Sequence, residues 1–249
     1  MTKNVINLEN DYYIETIEPE DELPANSINL EKLKLADILN KKVITFYINF
    51  KRINTREYKK ILKRLLFIKN VAIKAKKRIG TNKSEKNIVA YISNFNENNK
   101  DQQDFILCIK AILYNSRYER YNYIYDTVCG YLDSYFYGKN LCDFQNGKCG
   151  EKRGTESTTG CCHHFKHKSL GPFSKLVLCE YLNKENYTCD AKCISCKLFT
   201  CDYLRSKGVH FKIKDILLLD TFFNPIQKYF IKYMVFTPKE KILKRLIKS

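Results

Sequence analysis

Nine of the eleven cysteines and three of the four histidines lie between residues 142 and 201. In order they are Cys142, Cys149, Cys161, Cys162, His163, His164, His167, Cys179, Cys189, Cys193, Cys196 and Cys201. Thiols at this density serve either as a disulfide scaffold or as thiolate ligands for a metal. Residues 1–30 show no basic start, apolar run and small-residue cleavage site of a secretory signal, so a reducing, cytoplasmic setting is expected. In such a setting the odd cysteine total and the run Cys189-x3-Cys193-x2-Cys196-x4-Cys201 point to metal. Four thiolates close a zinc tetrahedron or hold a cubane iron-sulfur cluster, and the spacing does not choose between them.

The first half of the cluster is Cys142-x6-Cys149 followed by Gly160-Cys161-Cys162, with Gly147, Gly150, Gly154 and Gly160 giving a loop able to wrap an ion. His164 and His167 are three apart, a step that permits one helical face, and a neutral imidazole is a good zinc ligand. His163-His164-Phe165-Lys166-His167 reads equally well as a polar helix start or turn. Cys108 and Cys129 sit apart from the cluster and read as small core residues. His210 reads as structural.

Other chemistry finds less support. There is no P-loop, no dinucleotide fingerprint and no Gly-x-Ser-x-Gly elbow. Cys189-x3-Cys193-x2-Cys196 has the spacing of radical S-adenosylmethionine enzymes, but those place it before a large barrel and only residues 197–249 follow it here.

A glycine-preceded cysteine pair (Gly160-Cys161-Cys162), a cysteine leading into an aromatic and a leucine (Cys179-Glu180-Tyr181-Leu182) and the closing Cys196-Lys197-Leu198-Phe199-Thr200-Cys201 together resemble the YkgJ-type cysteine cluster. The resemblance spans residues 142–205 and implies a zinc- or iron-chelating domain. That family's relatives include the flagellin lysine methylases, which implies an iron-sulfur cluster. Position by position, it matches Cys161, Cys162, Cys179, Cys189, Cys196 and Cys201 to the family's cysteines and sets Cys142 and Cys149 in place of its opening pair. The opening pair is spaced by six residues rather than two, no Arg-Pro precedes the late cysteines, and Cys193 is additional.

The elements that must carry this cluster are set in a chain of 249 residues with a net charge of +17. That length suits one large domain or two ordinary ones, with enough core to fold without staples. The charge is segregated. Residues 9–22 hold seven acids and no base, whereas residues 41–86 hold sixteen Lys or Arg against Glu57 and Glu85. An acidic leader beside a basic surface suggests shielding, and general lysine enrichment is the plainer account. No stretch reaches the roughly 20 apolar residues of a membrane span; the longest candidate, residues 213–236, is broken by Lys214, Asp215, Asp220, Lys228 and Lys232.

Residues 1–29 read as an acidic, extended arm, and 30–39 as a short helix. Residues 43–50 read as a strand, and Thr55 as the N-cap of a helix running to about residue 69. On that helix Tyr58, Ile61, Leu62, Leu65, Leu66 and Ile68 form an apolar face, while Arg56, Lys59, Lys60, Lys63 and Arg64 form a cationic one. Alternation over 71–77 predicts a strand, 87–95 another, and 101–115 a helix. Strand, helix, strand, strand, helix is most of a split βαβ unit of the ferredoxin-like kind.

Seven tyrosines between 118 and 137, interleaved with Arg117 and Arg120, read as a helix at a domain seam or as a stacking platform for nucleobases. Residues 211–220 predict a short strand before a buried helix. Asn224-Pro225 starts a helix with Tyr229, Phe230, Tyr233 and Met234 as its apolar side. Thr237-Pro238-Lys239-Glu240 reads as a capping box for a last amphipathic helix.

The expected fold is α+β, a small N-terminal α/β unit of ferredoxin-like order followed by a loop-rich, metal-stapled cysteine domain and C-terminal helices. Its expected divisions are 1–29, 30–138, 139–210 and 211–249. Two functions fit. One is a cytoplasmic metal-cluster module whose basic N-terminal surface binds RNA or DNA, with no membrane partner. The other is an iron-sulfur-dependent, methylase-like transferase acting on a protein or small molecule.

Overall fold

The structure, a computed structural model, describes residues 5–8, 12–16, 43–79, 87–143, 145, 150 and 191–249. The chain divides into two compact units, 1–115 and 116–249. The division falls inside the stretch 30–138 that the sequence groups together.

Unit 1 is built on a four-stranded sheet. Its strands are β1 (Val5–Leu8), β2 (Tyr12–Thr16), β3 (Val43–Asn49) and β4 (Asn87–Ser93), in the order β1-β2-β4-β3. β1 and β2 form an antiparallel hairpin within the stretch expected as an arm. β2 and β3 both pair with β4 in parallel, β3 in the register Val43↔Asn87 to Asn49↔Ser93. Parallel neighbours need a crossover, and helix α1 (Tyr58–Ile79) supplies it.

The helix enters through a single 3-10 turn capped by Asn54, whose side chain accepts from the Arg56 amide, rather than by Thr55. It then runs through 71–77, where the sequence predicts a strand. Ala72, Lys74, Ala75, Lys76 and Lys77 are strong helix formers, and extending an existing helix adds one hydrogen bond per residue without a new nucleus. The order is therefore strand, helix, strand, helix. The last helix is α2 (Lys100–Leu113), N-capped by Asn99.

Unit 1 closes on Ile48, Leu62, Leu65, Ile68, Ala90, Ile92, Phe105, Ile109 and Ile112, all buried. Phe50, Tyr58 and Phe105 stack at its centre, the last pair with ring centres 4.6 Å apart. Against the same core Lys69 is fully buried, and its ammonium donates to the carbonyls of Ile112, Leu113 and Tyr114 at 2.5–2.7 Å. A helix end leaves such carbonyls unpartnered, so Lys69 caps α2 from the side of α1.

Unit 2 is helical. Its elements are α3 (Arg117–Gly138), α4 (Ile194–Leu198), α5 (Asp202–Ser206), α6 (Leu217–Phe222), α7 (Pro225–Tyr233) and α8 (Lys239–Lys248). α3 packs against α4, α6 and α8. The short strand expected before α6 is a 3-10 turn, Ile213–Asp215.

α7 starts at Asn224-Pro225, as its sequence predicts, with a capping box between Asn224 and Gln227, but its buried positions are Gln227 and Ile231. Tyr229 and Tyr233 face outward, 60% and 54% exposed. Gln227 is held by Tyr121 and by the Leu246 carbonyl, a pairing that makes an amide an acceptable core residue. The predicted capping box at 237–240 does not form. Thr237 bonds the Val235 carbonyl instead, and α8 starts after Pro238 with Ile242, Leu243 and Leu246 buried.

Among the described residues, no helix is long and apolar enough to cross a membrane.

Candidate metal centre

One face of α3 positions the cysteines. Residues 125, 129 and 133 lie four apart and share a side of the helix with 126. The Tyr125 hydroxyl accepts the Ile194 amide at 3.0 Å, and the Cys129 thiol donates to the Lys192 carbonyl at 3.1 Å. Asp126 holds Lys239 at 2.6 Å and Lys192 at 3.8 Å, and Asp133 pairs with Lys197. Residues 192–197 are thus pinned at both ends and in the middle. Tyr121 and Tyr125 spend their hydroxyls inside this unit, Arg120 is buried, and Arg117 donates to the Ile247 carbonyl at 3.1 Å.

On this platform Cys193 and Cys196 stand three residues apart around the first turn of α4. Cys193 is buried and Cys196 half-buried. The Phe236 amide donates to Cys196 Sγ at 3.2 Å. As a thiol, Cys193 donates to the Met234 carbonyl at 3.3 Å. Lys192 and Phe236 both have left-handed backbone, with φ of 48° and 53°. For a lysine and a phenylalanine that conformation costs about 1–2 kcal/mol each, and strain of this kind gathers at functional sites. Here Lys192 presents its carbonyl to Cys129, and Phe236 presents its amide to Cys196.

The two thiol environments differ. The Cys193 thiol is drawn down to about 6, first by its neighbour Cys196, against the opposing effect of burial, and further by the amides of Thr237 and Cys196 and the Ser195 hydroxyl. Burial pushes Cys129 up to about 12, with Lys197 partly offsetting it, and pushes Cys108 well above the usual thiol range. A thiolate is the form that binds metal, and the surroundings of Cys193 favour that form while those of Cys108 and Cys129 oppose it.

Of the other cysteines expected as ligands, Cys142 and Cys201 fall in the described residues. The Cys142 carbonyl accepts from Gly150, whose backbone lies so close to the Tyr203 ring that a Cβ would sit 2.2 Å from Cζ. Any Cβ at this position would require the end of the Tyr203 ring to shift. The Tyr203 hydroxyl donates to Asp143 at 3.1 Å, so the start of the cysteine-rich stretch lies beside the helix that Cys201 begins. Cys149, Cys161, Cys162, Cys179, Cys189, His164 and His167 lie outside the described residues. Among the described residues, no three His, Cys, Asp or Glu side chains form a metal-holding group. His210 is exposed.

The residues missed by sequence reasoning are Tyr125, Met234, Phe236 and Thr237. The last three act through backbone atoms about forty residues from the cysteines, and a backbone amide leaves no mark in residue type.

The cationic residues belong to unit 1. Arg56, Lys60, Lys63 and Arg64 are exposed and Lys59 is half-buried, on the side of α1 opposite Tyr58, Leu62, Leu65 and Ile68. Phe67 joins the exposed side and is 60% exposed.

No protein-family model, curated protein or solved structure matches this chain.

Proposed function

We propose that the chain is a cytoplasmic thiolate metal protein that binds nucleic acid through the basic face of α1. The observation that carries the metal reading is the Cys193–Cys196 turn, in which two sulfurs three residues apart face backbone donors from residues 236 and 237. Amides aimed at sulfur stabilise the thiolate, which is the form that binds a metal.

The donor set suits zinc or iron. Cys193 and Cys196 would hold two corners of a tetrahedron. Cys142, Cys149, Cys161, Cys162, Cys179, Cys189, Cys201, His164 and His167 are the candidates for the rest. When bound, zinc supplies a structural cross-link and an iron-sulfur cluster supplies electron transfer. The residues of α3 hold the cysteine turn in place in either case. Under this reading the cysteine-rich stretch is a metal-stapled part of unit 2, of the YkgJ-type kind. A ferredoxin-like order for unit 1 is disfavoured, because a split βαβ unit puts a strand between its two parallel strands and β3 and β4 are direct neighbours.

Elemental analysis of anaerobically purified protein tests the metal reading, with a visible spectrum to separate brown iron-sulfur from colourless zinc. At least one equivalent of metal is expected, falling in Cys193→Ser and Cys196→Ser. Less than half an equivalent of any metal, with disulfides found by mass spectrometry, overturns it. For nucleic acid, each phosphate neutralised adds about 0.7 to 0.9 to the magnitude of the slope of log affinity against log salt.

A further inference from the structure

Helix α1 carries nine Lys or Arg and no acidic residue. Among the described residues its large apolar side chains are buried or half-buried, with one exception. Tyr58, Leu62, Leu65 and Ile68 are buried, while Phe67 is the one large apolar side chain of the helix more than half exposed among the described residues. A lone exposed phenylalanine needs no special explanation. Its neighbours give this one a meaning. Lys60, Lys63 and Arg64 stand seven, four and three residues before it, and those steps place them on the same strip of the helix surface. All three are exposed.

A strip of this composition discriminates among partners. Three adjacent cations with no acid on the helix repel a basic protein surface and attract a polyanion. A duplex presents phosphates to such a strip but keeps its bases stacked inside, so it leaves the phenyl ring in water. A single strand offers phosphates and unstacked bases together, and an aromatic face beside cations takes both. At 1.5 Å per residue, the step from Lys63 to Phe67 is about 6 Å along the axis, so charge and ring can engage one nucleotide and the next.

We propose that α1 binds single-stranded nucleic acid, with Lys60, Lys63 and Arg64 on the phosphates and the Phe67 ring stacked on a base. This rests on the nucleic-acid reading above and sharpens it from polyanion to single strand. It is independent of the metal centre, which lies in the other unit.

The chain contains no tryptophan, so Phe67→Trp introduces a single indole at the proposed contact. The full-length protein is titrated with labelled oligo(U), oligo(dT) and a duplex, each of roughly 15 nucleotides, within the range of known single-strand site sizes. Binding is read by anisotropy and, in Phe67→Trp, also by indole fluorescence. Wild-type protein should favour the single strands. Phe67→Ala should weaken single-strand binding about 5- to 100-fold with an unchanged salt slope, and Phe67→Trp should keep affinity while its fluorescence is quenched on binding. The triple change of Lys60, Lys63 and Arg64 to Glu should flatten the slope by about 2.

The oligo(U) and oligo(dT) arms separate RNA from DNA, and a preference for either supports the inference. Equal binding of duplex and single strand, with Phe67→Ala unaffected and the indole unquenched, overturns the stacking inference and leaves the polyanion reading standing. Absence of binding to every probe at low salt overturns both.

Discussion

The Tyr125 hydroxyl accepts the amide of Ile194, the residue directly after Cys193, at 3.0 Å in the buried interior of unit 2. The bond joins the middle of α3 to the turn that carries the cysteine pair. Burial raises the Tyr125 hydroxyl well above its ordinary range, so it stays protonated and can serve as both acceptor and donor.

Tyr125→Phe removes this acceptor and leaves a buried amide unpartnered, at a cost of about 1–3 kcal/mol. The expected outcome is a lower denaturation midpoint together with faster metal loss to a chelator. Stability lost with metal retention unchanged would make Tyr125 a core residue only.

Lys192 holds left-handed backbone immediately before Cys193. Lys192→Gly keeps the carbonyl that Cys129 uses and relieves the strain, while surrendering only a partly exposed pairing with Asp126. A net gain of up to about 1 kcal/mol in stability is expected by denaturant titration, with metal content unchanged.

In unit 1, Lys69→Met keeps the length of the side chain and strands the carbonyls of Ile112, Leu113 and Tyr114. Three charge-assisted bonds are lost against one recovered desolvation penalty, so a loss of about 2–4 kcal/mol is expected. Hydrogen exchange should show the last turn of α2 opening first.

Asp104 gives a pH dependence. Burial raises its carboxyl above the ordinary value, with Asp101 adding to the rise and Lys100 opposing it. The folded state therefore holds its proton more tightly than the unfolded chain. The stabilisation is fully present below the unfolded value and is lost as pH rises through the folded one. Asp104→Asn should remove that dependence. Thermal melts across the acid range should show the mutant losing less stability between acidic and neutral pH than the wild type does.

Much of the architecture was legible because local chemistry and tertiary demand agreed. α2 and α7 start close to where the sequence places them, α7 at Asn224-Pro225, and each is capped by a side chain acting within one turn, Asn99 and Asn224. β3 and β4 are runs rich in β-branched residues, with Ile48 and Ile92 buried. The alternating stretch 71–77 misled, because period two in a run of alanine and lysine carries less weight than continuation of a helix already formed. α7 misled because Tyr229 and Tyr233 count as apolar by type, while the helix phase is set by Ile231 and by a glutamine that finds two partners inside.

The sequence by itself determined which residues could do chemistry here: a thiol-rich stretch closing with Cys193-x2-Cys196, and a helix with cations on one side and aliphatics on the other. Residue type and short spacing fix both, because they depend only on side-chain chemistry and the periods of local structure. The tertiary structure decided how differently the thiols are placed. Cys129 and Cys193 are the same residue type, yet Cys129 faces the Lys192 carbonyl and is pushed up to about 12, while Cys193 meets Cys196 and the amides of residues 196 and 237 and is drawn down to about 6. The largest part of the difference is the neighbouring Cys196 side chain, which the Cys193-x2-Cys196 spacing announces; the Thr237 amide comes from a distant part of the chain, and because backbone is common to every residue no sequence pattern announces that contribution.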